Sequence, residues 1–285
     1  MVKKLFLFFI IPCLIAGCFY VLNFKIFSLL LLLIIFILIY IYLRNLKIIN
    51  KLTDEMITVI KNNFEIKNIN IGESAKLKMY GIIPIDSKVY HLENIGVLSI
   101  MKVNLGIMQM LTLSINPFEK DLPQVSYEVI CIFQKIVFLI DFYGLMLDKD
   151  NKEYKYFLNQ IEKINKQYSN IENFKSKKEW HTELLSASIT KKIKIKQEKI
   201  LNDIFIEVIN IYIDYSKQLN KLDEKEKLNK ISLLEEFGNN LVDKGGYSTD
   251  VFKKLFGIEK TRNFLGDVIF GYYSFKKYLK FNKNK

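Results

Sequence analysis

Two neighbouring apolar segments carry polar residues that could line a binding site. The segment Leu105–Ile115 alternates, so one face of a strand there would present Met108, Met110, Thr112 and Ser114. The segment Gln124–Ile132 alternates in the same way, and its mixed face would present Ser126, Glu128, Ile130 and Ile132. If the two strands pair, these faces coincide and suit a large, flat, apolar ligand with a few polar groups. The same pattern also fits an ordinary half-exposed sheet on which Glu128 points to solvent.

The pattern around these segments predicts the fold class. Alternation predicts four strands at Gly96–Val103, Leu105–Ile115, Gln124–Ile132 and Lys135–Tyr143. The links between them are too short for crossover helices, so we expect an antiparallel meander. After Asp148 the pattern is helical, with long segments at Glu153–Tyr168, Lys194–Lys221, Glu224–Val242 and Thr249–Lys280. Strands followed by helices predict an α+β domain with helices packed on the sheet.

Two apolar runs precede this domain, at Leu5–Leu22 and Ile26–Leu43. Each has about 18 residues, which is enough to cross a membrane. Basic residues lie outside both runs, and only Lys25 lies between them. Because cytoplasmic ends carry the excess of Lys and Arg, we predict a transmembrane helical hairpin in residues 1–45 and a cytosolic domain in residues 46–285. The protein would then be a multi-pass cell-membrane protein with two helices.

A second interpretation concerns the segment Ile15-Ala16-Gly17-Cys18. A basic, apolar start followed by small residues and a cysteine is typical of a lipoprotein signal, in which Cys18 would be lipidated. The apolar run that follows Cys18 is unlike the polar tether of a mature lipoprotein. The domain reaches the cytoplasm under both interpretations, because the second run returns the chain.

The composition of the chain argues against several kinds of catalytic and metal site and indicates the charge of its partners. Three cysteines and two histidines give no pair at metal-ligand spacing, so we expect no metal site and no Ser-His-Asp triad. Gly-rich phosphate loops and zinc-protease motifs are absent from the sequence. A net charge of +12 favours an anionic membrane, an anionic small molecule or an acidic protein. Nucleic acid is disfavoured, since lysines and glutamates interleave and no basic run carries stacking aromatics.

Three parts of the chain resemble the ferredoxin-dependent bilin reductases. The stretch Leu105–Tyr143 resembles their central sheet, through Asn116-Pro117, Asp121-Leu122-Pro123 and Phe138-Leu139-Ile140-Asp141. The residues Glu179-Trp180 and Leu185-Ser186 are similar to the Trp and Ser segment that follows in that family. The stretch Phe252–Glu259, running on to Val268-Ile269-Phe270, is similar to the closing helix.

The resemblance implies an α/β/α sandwich with a central antiparallel sheet and a linear tetrapyrrole between the sheet and the C-terminal helices. It also implies a radical reductase without a bound redox cofactor, in which reduced ferredoxin, an acidic electron donor, supplies single electrons. The family's proton-donating sheet residue falls on Glu128, and its helical Asp-Lys pair best matches Asp243 and Lys244.

Other positions complete the implied site. The position of a family histidine falls on Thr112, which cannot act as an acid, so Thr112 is a substrate-binding residue. Lys191, Lys192 and Lys244 would hold the propionates of the tetrapyrrole. The predicted catalytic residues are therefore Glu128 and Asp243, and whether they catalyse a reduction is left open.

Two other functions are compatible with the sequence. The domain could be a non-enzymatic, membrane-anchored interaction or immunity-type protein that binds another protein. It could also be a peripheral lipid-handling domain, because its basic charge suits an anionic surface.

Overall fold

The computed structural model describes residues 25–175 and 177–283, together with Leu14 and Gly17. Apart from those two residues, the first apolar run, including Cys18, lies outside the described residues. The hairpin and the division at residue 45 therefore remain predictions. The second run is helical, as predicted, and belongs to helix α1, Lys25–Asn63. Among the described residues, this is the one helix long and apolar enough to cross a membrane.

Helix α1 is continuous, but its two halves have different surroundings. Leu33 and Phe36 in the N-terminal half are exposed, whereas Leu52, Met56 and Ile60 in the C-terminal half are buried. At 39 residues, the helix is roughly 58 Å long. The sequence pattern also predicts a short helix at Thr53–Phe64 that Thr53 can cap, but all of this segment except Phe64 belongs to α1. Thr53 is not a cap, because its hydroxyl donates to the Ile49 carbonyl inside the helix (2.7 Å).

Eight strands form one antiparallel sheet. They are β1 (Ile66–Ile69), β2 (Lys78–Met79), β3 (Ile83–Leu92), β4 (Gly96–Leu105), β5 (Met108–Pro117), β6 (Gln124–Ile132), β7 (Lys135–Tyr143) and β8 (Leu185–Lys194). Their order is β1-β3-β4-β5-β6-β7-β8, and β2 pairs with β3. The predicted meander is confirmed, and the predicted bounds of β6 and β7 match those of the structure.

Strand β8 corrects the prediction that the chain is helical throughout after Asp148. Ile189 and Ile193 are buried on one face of β8, and the strand pairs with β7. The apolar alternation of β8 is weakened by two serines and three lysines, and one of these lysines, Lys191, lies on the same face as Ile189 and Ile193. The partner strand, about 45 residues earlier in the chain, supplies the hydrogen bonds that make this segment extended.

The α-helices that follow β7 are α2 (Lys152–Gln167), which precedes β8, and α3 (Glu198–Gln218), α4 (Glu224–Asp243), α5 (Tyr247–Phe256), α6 (Ile258–Phe264) and α7 (Tyr272–Lys283), which follow it. A π-helical turn, Leu265–Ile269, follows α6. The single helix predicted at Thr249–Lys280 is therefore wrong. Gly257 (φ 82°) and Gly271 (φ 67°) interrupt it with left-handed backbone that favours glycine.

Helices cover the sheet on both sides, so the predicted α/β/α sandwich is confirmed. The C-terminal half of α1 packs with α2 and α3 on one face, which we name the sealed face. The sealed face presents buried apolar side chains of the central strands, among them Leu113, Tyr127, Val129, Phe138 and Ile140. Helices α4, α6 and α7 and the π-helical turn pack against the opposite face around β3 and β4.

Lys230 ties α4 to the sheet. Its side chain is fully buried, and its Nζ donates to Asp121 Oδ1 (2.9 Å) and to the carbonyls of Leu122 (2.7 Å) and Leu145. Burial lowers the pKa of Lys230 to about 8, although the nearby Asp121 carboxylate opposes that shift. The lysine therefore joins α4 to the β5–β6 loop and to the chain just after β7.

We expect Lys230→Ala to lower the free energy of unfolding by about 3–5 kcal/mol, because it leaves a carboxylate and two carbonyls without their buried partner. The matched control is Lys225→Ala on the exposed side of the same helix, which we expect to change it by less than about 0.5 kcal/mol. Chemical denaturation of the full chain in detergent measures both. An equal change in the free energy of unfolding in both variants would show that the hydrogen bonds of Lys230 do not stabilise the fold.

Candidate functional site

The face opposite the sealed face is only half-buried across β5, β6, β7 and β8. We name this area the open face. Its half-buried residues are Met110, Thr112, Glu128, Ile130, Val137, Leu139, Asp141, Ser188 and Thr190. Strand pairing places them in adjacent rows, so they share one surface. It is mostly apolar and carries two carboxyl groups.

Ser114, which the sequence places on the mixed face, is not part of the open face. Its hydroxyl donates to the Ile269 carbonyl of the π-helical turn (2.7 Å), and Asn116 Nδ2 donates to the same oxygen (2.9 Å). Ser114 is 1% exposed. These bonds fix the π-helical turn on β5 and mark the border where helices stop covering the sheet.

Glu128 lies on the open face between Thr112 of β5 and Leu139 of β7, which are its cross-strand partners. The Ser126 hydroxyl donates weakly to its carboxylate (3.5 Å). Burial raises the pKa of Glu128 to about 7, and the Asp141 charge adds to that rise. A carboxyl group with a pKa near neutrality can give and regain a proton under physiological conditions.

Asp141 is the second carboxyl of the open face and is not among the site residues predicted from the sequence. It pairs with Ser126 across the β6–β7 ladder, which makes it a diagonal neighbour of Glu128. Its Oδ1 accepts a hydrogen bond from the Ser188 hydroxyl of β8. Burial raises its pKa, while that hydrogen bond opposes the rise. The parity of β7 relative to β6 is the signal that could have revealed it.

A hydrogen-bonded chain of three side chains lies between this carboxyl pair and the edge of the sheet. Tyr143 follows Asp141 by two residues on the same face, and its hydroxyl lies 3.4 Å from His181 Nδ1. His181 Nε2 lies 2.7 Å from Glu179 Oε2. Because a carboxylate can only accept, His181 Nε2 is the donor to Glu179, and in the tautomer with its proton on Nε2 the Nδ1 atom can accept from the Tyr143 hydroxyl.

Aromatic residues close this end of the open face. Phe237 of α4 packs on Tyr143, with 4.9 Å between ring centroids, and also lies 6.1 Å from the Trp180 ring. The Trp180 indole donates to the Gly245 carbonyl (2.7 Å). Lys244 places its Nζ 4.8 Å from the centroid of Trp180. The structure therefore brings Lys244 to the closed end of the open face, above Trp180.

Asp243 points elsewhere. Its Oδ1 pairs with Arg262 Nη2 at 2.6 Å, and 58% of its side chain is exposed. That ion pair joins α4 to α6 at the protein surface. The structure therefore gives the Asp243 carboxylate a partner outside the open face, and the two predicted catalytic residues do not come together.

Lys191 and Lys192, which are neighbours in β8, lie on opposite faces of the sheet. Lys192 pairs with Val137, on the side of the open face, and its Nζ reaches Glu172 Oε1 (2.6 Å). Lys191 pairs with Phe138, so it lies on the sealed face, where its Nζ donates to Asn173 Oδ1 (2.8 Å). Burial lowers the pKa of Lys191. The structure does not bring Lys191 to the open face, although sequence reasoning places it in the same set.

Within the part of the chain that the structure describes, no group of His, Cys, Asp and Glu could hold a metal ion. The chemistry available on the open face is proton transfer by Glu128 and Asp141, beside an apolar surface long enough for an extended flat ligand. Thr112, Ser188 and Thr190 add hydroxyl groups that can orient such a ligand.

Comparison with solved structures identifies the fold. The chain is similar to the crystal structure of phytochromobilin synthase from tomato in complex with biliverdin, with a TM-score of 0.63 and 14% sequence identity. The match covers 78% of this chain and 83% of the tomato protein. No family model matches this sequence, and a search of curated proteins finds no match. The chain thus shares the fold of the tomato phytochromobilin synthase.

Proposed function

We propose that this protein binds a linear tetrapyrrole on the open face and reduces it with single electrons from ferredoxin. The observation that carries the proposal is Glu128, a carboxyl with a pKa near 7 on an uncovered apolar sheet. The fold supports it, because the tomato enzyme of the same fold was crystallised in complex with biliverdin. Helix α1 would hold the domain at the cytoplasmic side of the cell membrane.

The proposed chemistry pairs electrons with protons. Reduction of one double bond consumes two electrons and two protons; ferredoxin would supply the electrons one at a time. Glu128 would donate the first proton to the tetrapyrrole and, after regaining one from solvent, the second. The nearby Asp141 charge, which raises the pKa of Glu128, would favour this reprotonation. The bound pigment would exclude water from both carboxyls and keep the pKa of Glu128 high enough for donation.

The chain from Glu179 through His181 to Tyr143 supports proton supply. It ends two residues from Asp141 and begins at the edge of the sheet, where both Glu179 and His181 are about one-fifth exposed (21% and 20%). Protons from solvent could therefore reach the covered site after the pigment closes it. Lys244 and Lys192, at the margins of the open face, are the cations best placed to meet propionate groups.

The donor would be recognised by charge. Ferredoxin is an acidic protein, and this chain carries a net charge of +12. Complementary charge raises the association rate of a transient electron-transfer pair, so this step should slow as salt increases.

We expect the full chain in detergent to bind biliverdin saturably, with a red shift of the pigment absorbance. Leu139→Trp should abolish the shift, because an indole on the open face next to Glu128 would occupy the pigment's place. Leu228→Trp is the control, since Leu228 is 62% exposed on α4. Absence of any shift in the unaltered chain would make a protein-binding function the better explanation of the fold.

We expect Glu128→Gln to retain biliverdin binding and to stop its anaerobic reduction by reduced ferredoxin, because an amide cannot donate the proton. Glu236→Gln, on an exposed position of α4, is the matched control. Turnover by Glu128→Gln at the rate of the unaltered chain would remove Glu128 from the mechanism.

The same variant has an expected pH signature without any ligand. The pKa of Glu128 is raised in the folded chain from 4.5 to about 7, so the folded state holds an extra proton between these values. Stability therefore falls as pH rises through this window, and Glu128→Gln removes that fall. We expect the variant to unfold with a free energy about 1–2 kcal/mol higher at pH 8, after allowance for solvent screening, and unchanged at pH 4. Denaturation at both pH values measures it.

A further inference from the structure

Helix α1 leaves the domain at one end of the sheet. Asn45 Nδ2 donates to the Ile107 carbonyl in the β4–β5 turn (3.0 Å). Arg44 donates to the Phe133 carbonyl and to Gln134 Oε1 (3.1 Å) in the β6–β7 turn. The exposed apolar half of α1 begins directly beyond these contacts. These two turns therefore lie level with the point where α1 passes from the domain to its apolar segment.

Strand register places a third turn at the same end. Leu105, Met108, Ile132 and Lys135 form one row across β4, β5, β6 and β7. Strand β3 begins at Ile83, two residues before the pair Ile85↔Val103. The β2–β3 turn, residues 80–82, thus projects beyond the sheet in the same direction as the β6–β7 turn.

Both projecting turns carry an aromatic residue in left-handed backbone. Tyr80 has φ 51° and is 69% exposed; Phe133 has φ 48° and is 47% exposed. Bulky residues rarely adopt this conformation, which glycine and asparagine favour in hairpin turns. At the opposite end of the sheet, the β3–β4 turn uses Asn94 at φ 64°. The fold therefore keeps two strained, exposed aromatics at the α1 end and not at the β3–β4 turn.

Basic residues accompany these aromatics. Exposed Lys78 precedes Tyr80 by two residues, and exposed Lys135 follows Phe133 by two. In α1, Arg44 lies over the exposed Tyr40 ring, 5.5 Å from its centroid. Aromatic rings and basic side chains together are typical of the layer where lipid headgroups meet hydrocarbon, most of all in an anionic bilayer.

We infer that Tyr80 and Phe133, which we name the aromatic tips, rest in the headgroup layer of an anionic bilayer beside α1. This inference rests on the proposed anchoring by α1 and adds a second and third point of attachment. Three points fix the tilt of the domain, whereas one helix leaves it free to swing. The end of the open face at Met110 and Ile130, continued by the pair Met108↔Ile132, then lies next to the bilayer.

Tryptophan quenching by brominated lipids tests the contact in the full chain. Each variant, Tyr80→Trp or Phe133→Trp, is reconstituted into vesicles of phosphatidylcholine and phosphatidylglycerol, with and without bromine on the acyl chains. The unaltered chain supplies the emission of Trp180, the only native tryptophan, for subtraction. We expect bromine to remove most of the added emission of both tips.

Two reference positions separate the possible outcomes. Leu228→Trp reports the end of the sheet opposite to the aromatic tips. Leu228 lies two residues before Lys230, which binds the β5–β6 loop at that end. Bromine should leave the added emission of this variant unchanged. Leu33→Trp reports the apolar half of α1 and should be quenched. Quenching at Leu33 but not at the tips overturns the inference and leaves the anchoring intact. No quenching at Leu33 overturns the anchoring, and the inference with it.

A second pair of variants addresses the strain. Tyr80→Asn and Phe133→Asn place in each turn a residue that accepts left-handed backbone. We expect each to raise the unfolding midpoint in detergent by about 2–4 °C. In the double variant Tyr80→Asn/Phe133→Trp, the quenching of the added emission should be weaker than in Phe133→Trp alone, since one attachment point is lost. Unchanged quenching there would show that the tips do not act together on the bilayer.

Discussion

The alternation of side chains across β5, β6 and β7 is the constraint on which both fold and site depend. Tyr127 and Val129 fill the sealed face, so Glu128 between them must point to the opposite side. A slip of one residue in the pairing would place this carboxyl in the core and expose the aromatics, at a cost that excludes it. The hydrophobic core of one face thus fixes the chemistry of the other.

A candidate site exists because the helices cover the face opposite the sealed face only in part. The π-helical turn is fixed to β5 through Ser114 and Asn116, which both donate to Ile269. Lys230 fixes α4 through Asp121 and two carbonyls. With both elements held, Phe237 of α4 packs on Tyr143 and Trp180 at one end of the open face. These contacts therefore hold the helices at the edge of the open face.

Local pattern predicts the sheet better than the site. Strands β6 and β7 can be delimited from sequence because each alternates by itself and turn residues flank it. Thr112 and Glu128 follow from parity within two adjacent strands. Lys191 and Lys192 cannot be separated in this way, since only the pairing of β8 with β7 decides which of them faces Phe138. The same holds for the Asp141–Ser188 bond and the Tyr143–His181 contact, whose partners lie far apart in the chain. The continuity of α1 is equally hidden, because Thr53 has the side chain of a typical helix cap and yet bonds within the helix.

The proximity of the two carboxyls on the open face helps to explain why Glu128 can hold a proton near neutral pH before any ligand binds. Glu128 and Asp141 are diagonal neighbours in a half-buried place, and ionising one raises the pKa of the other. A flat apolar ligand would remove water from both and increase that mutual cost. If the sheet end beside α1 also rests on a bilayer, solvent has one route fewer to the open face. The hydrogen-bonded chain of Tyr143, His181 and Glu179, which ends two residues from Asp141, then offers a route for protons toward the pair.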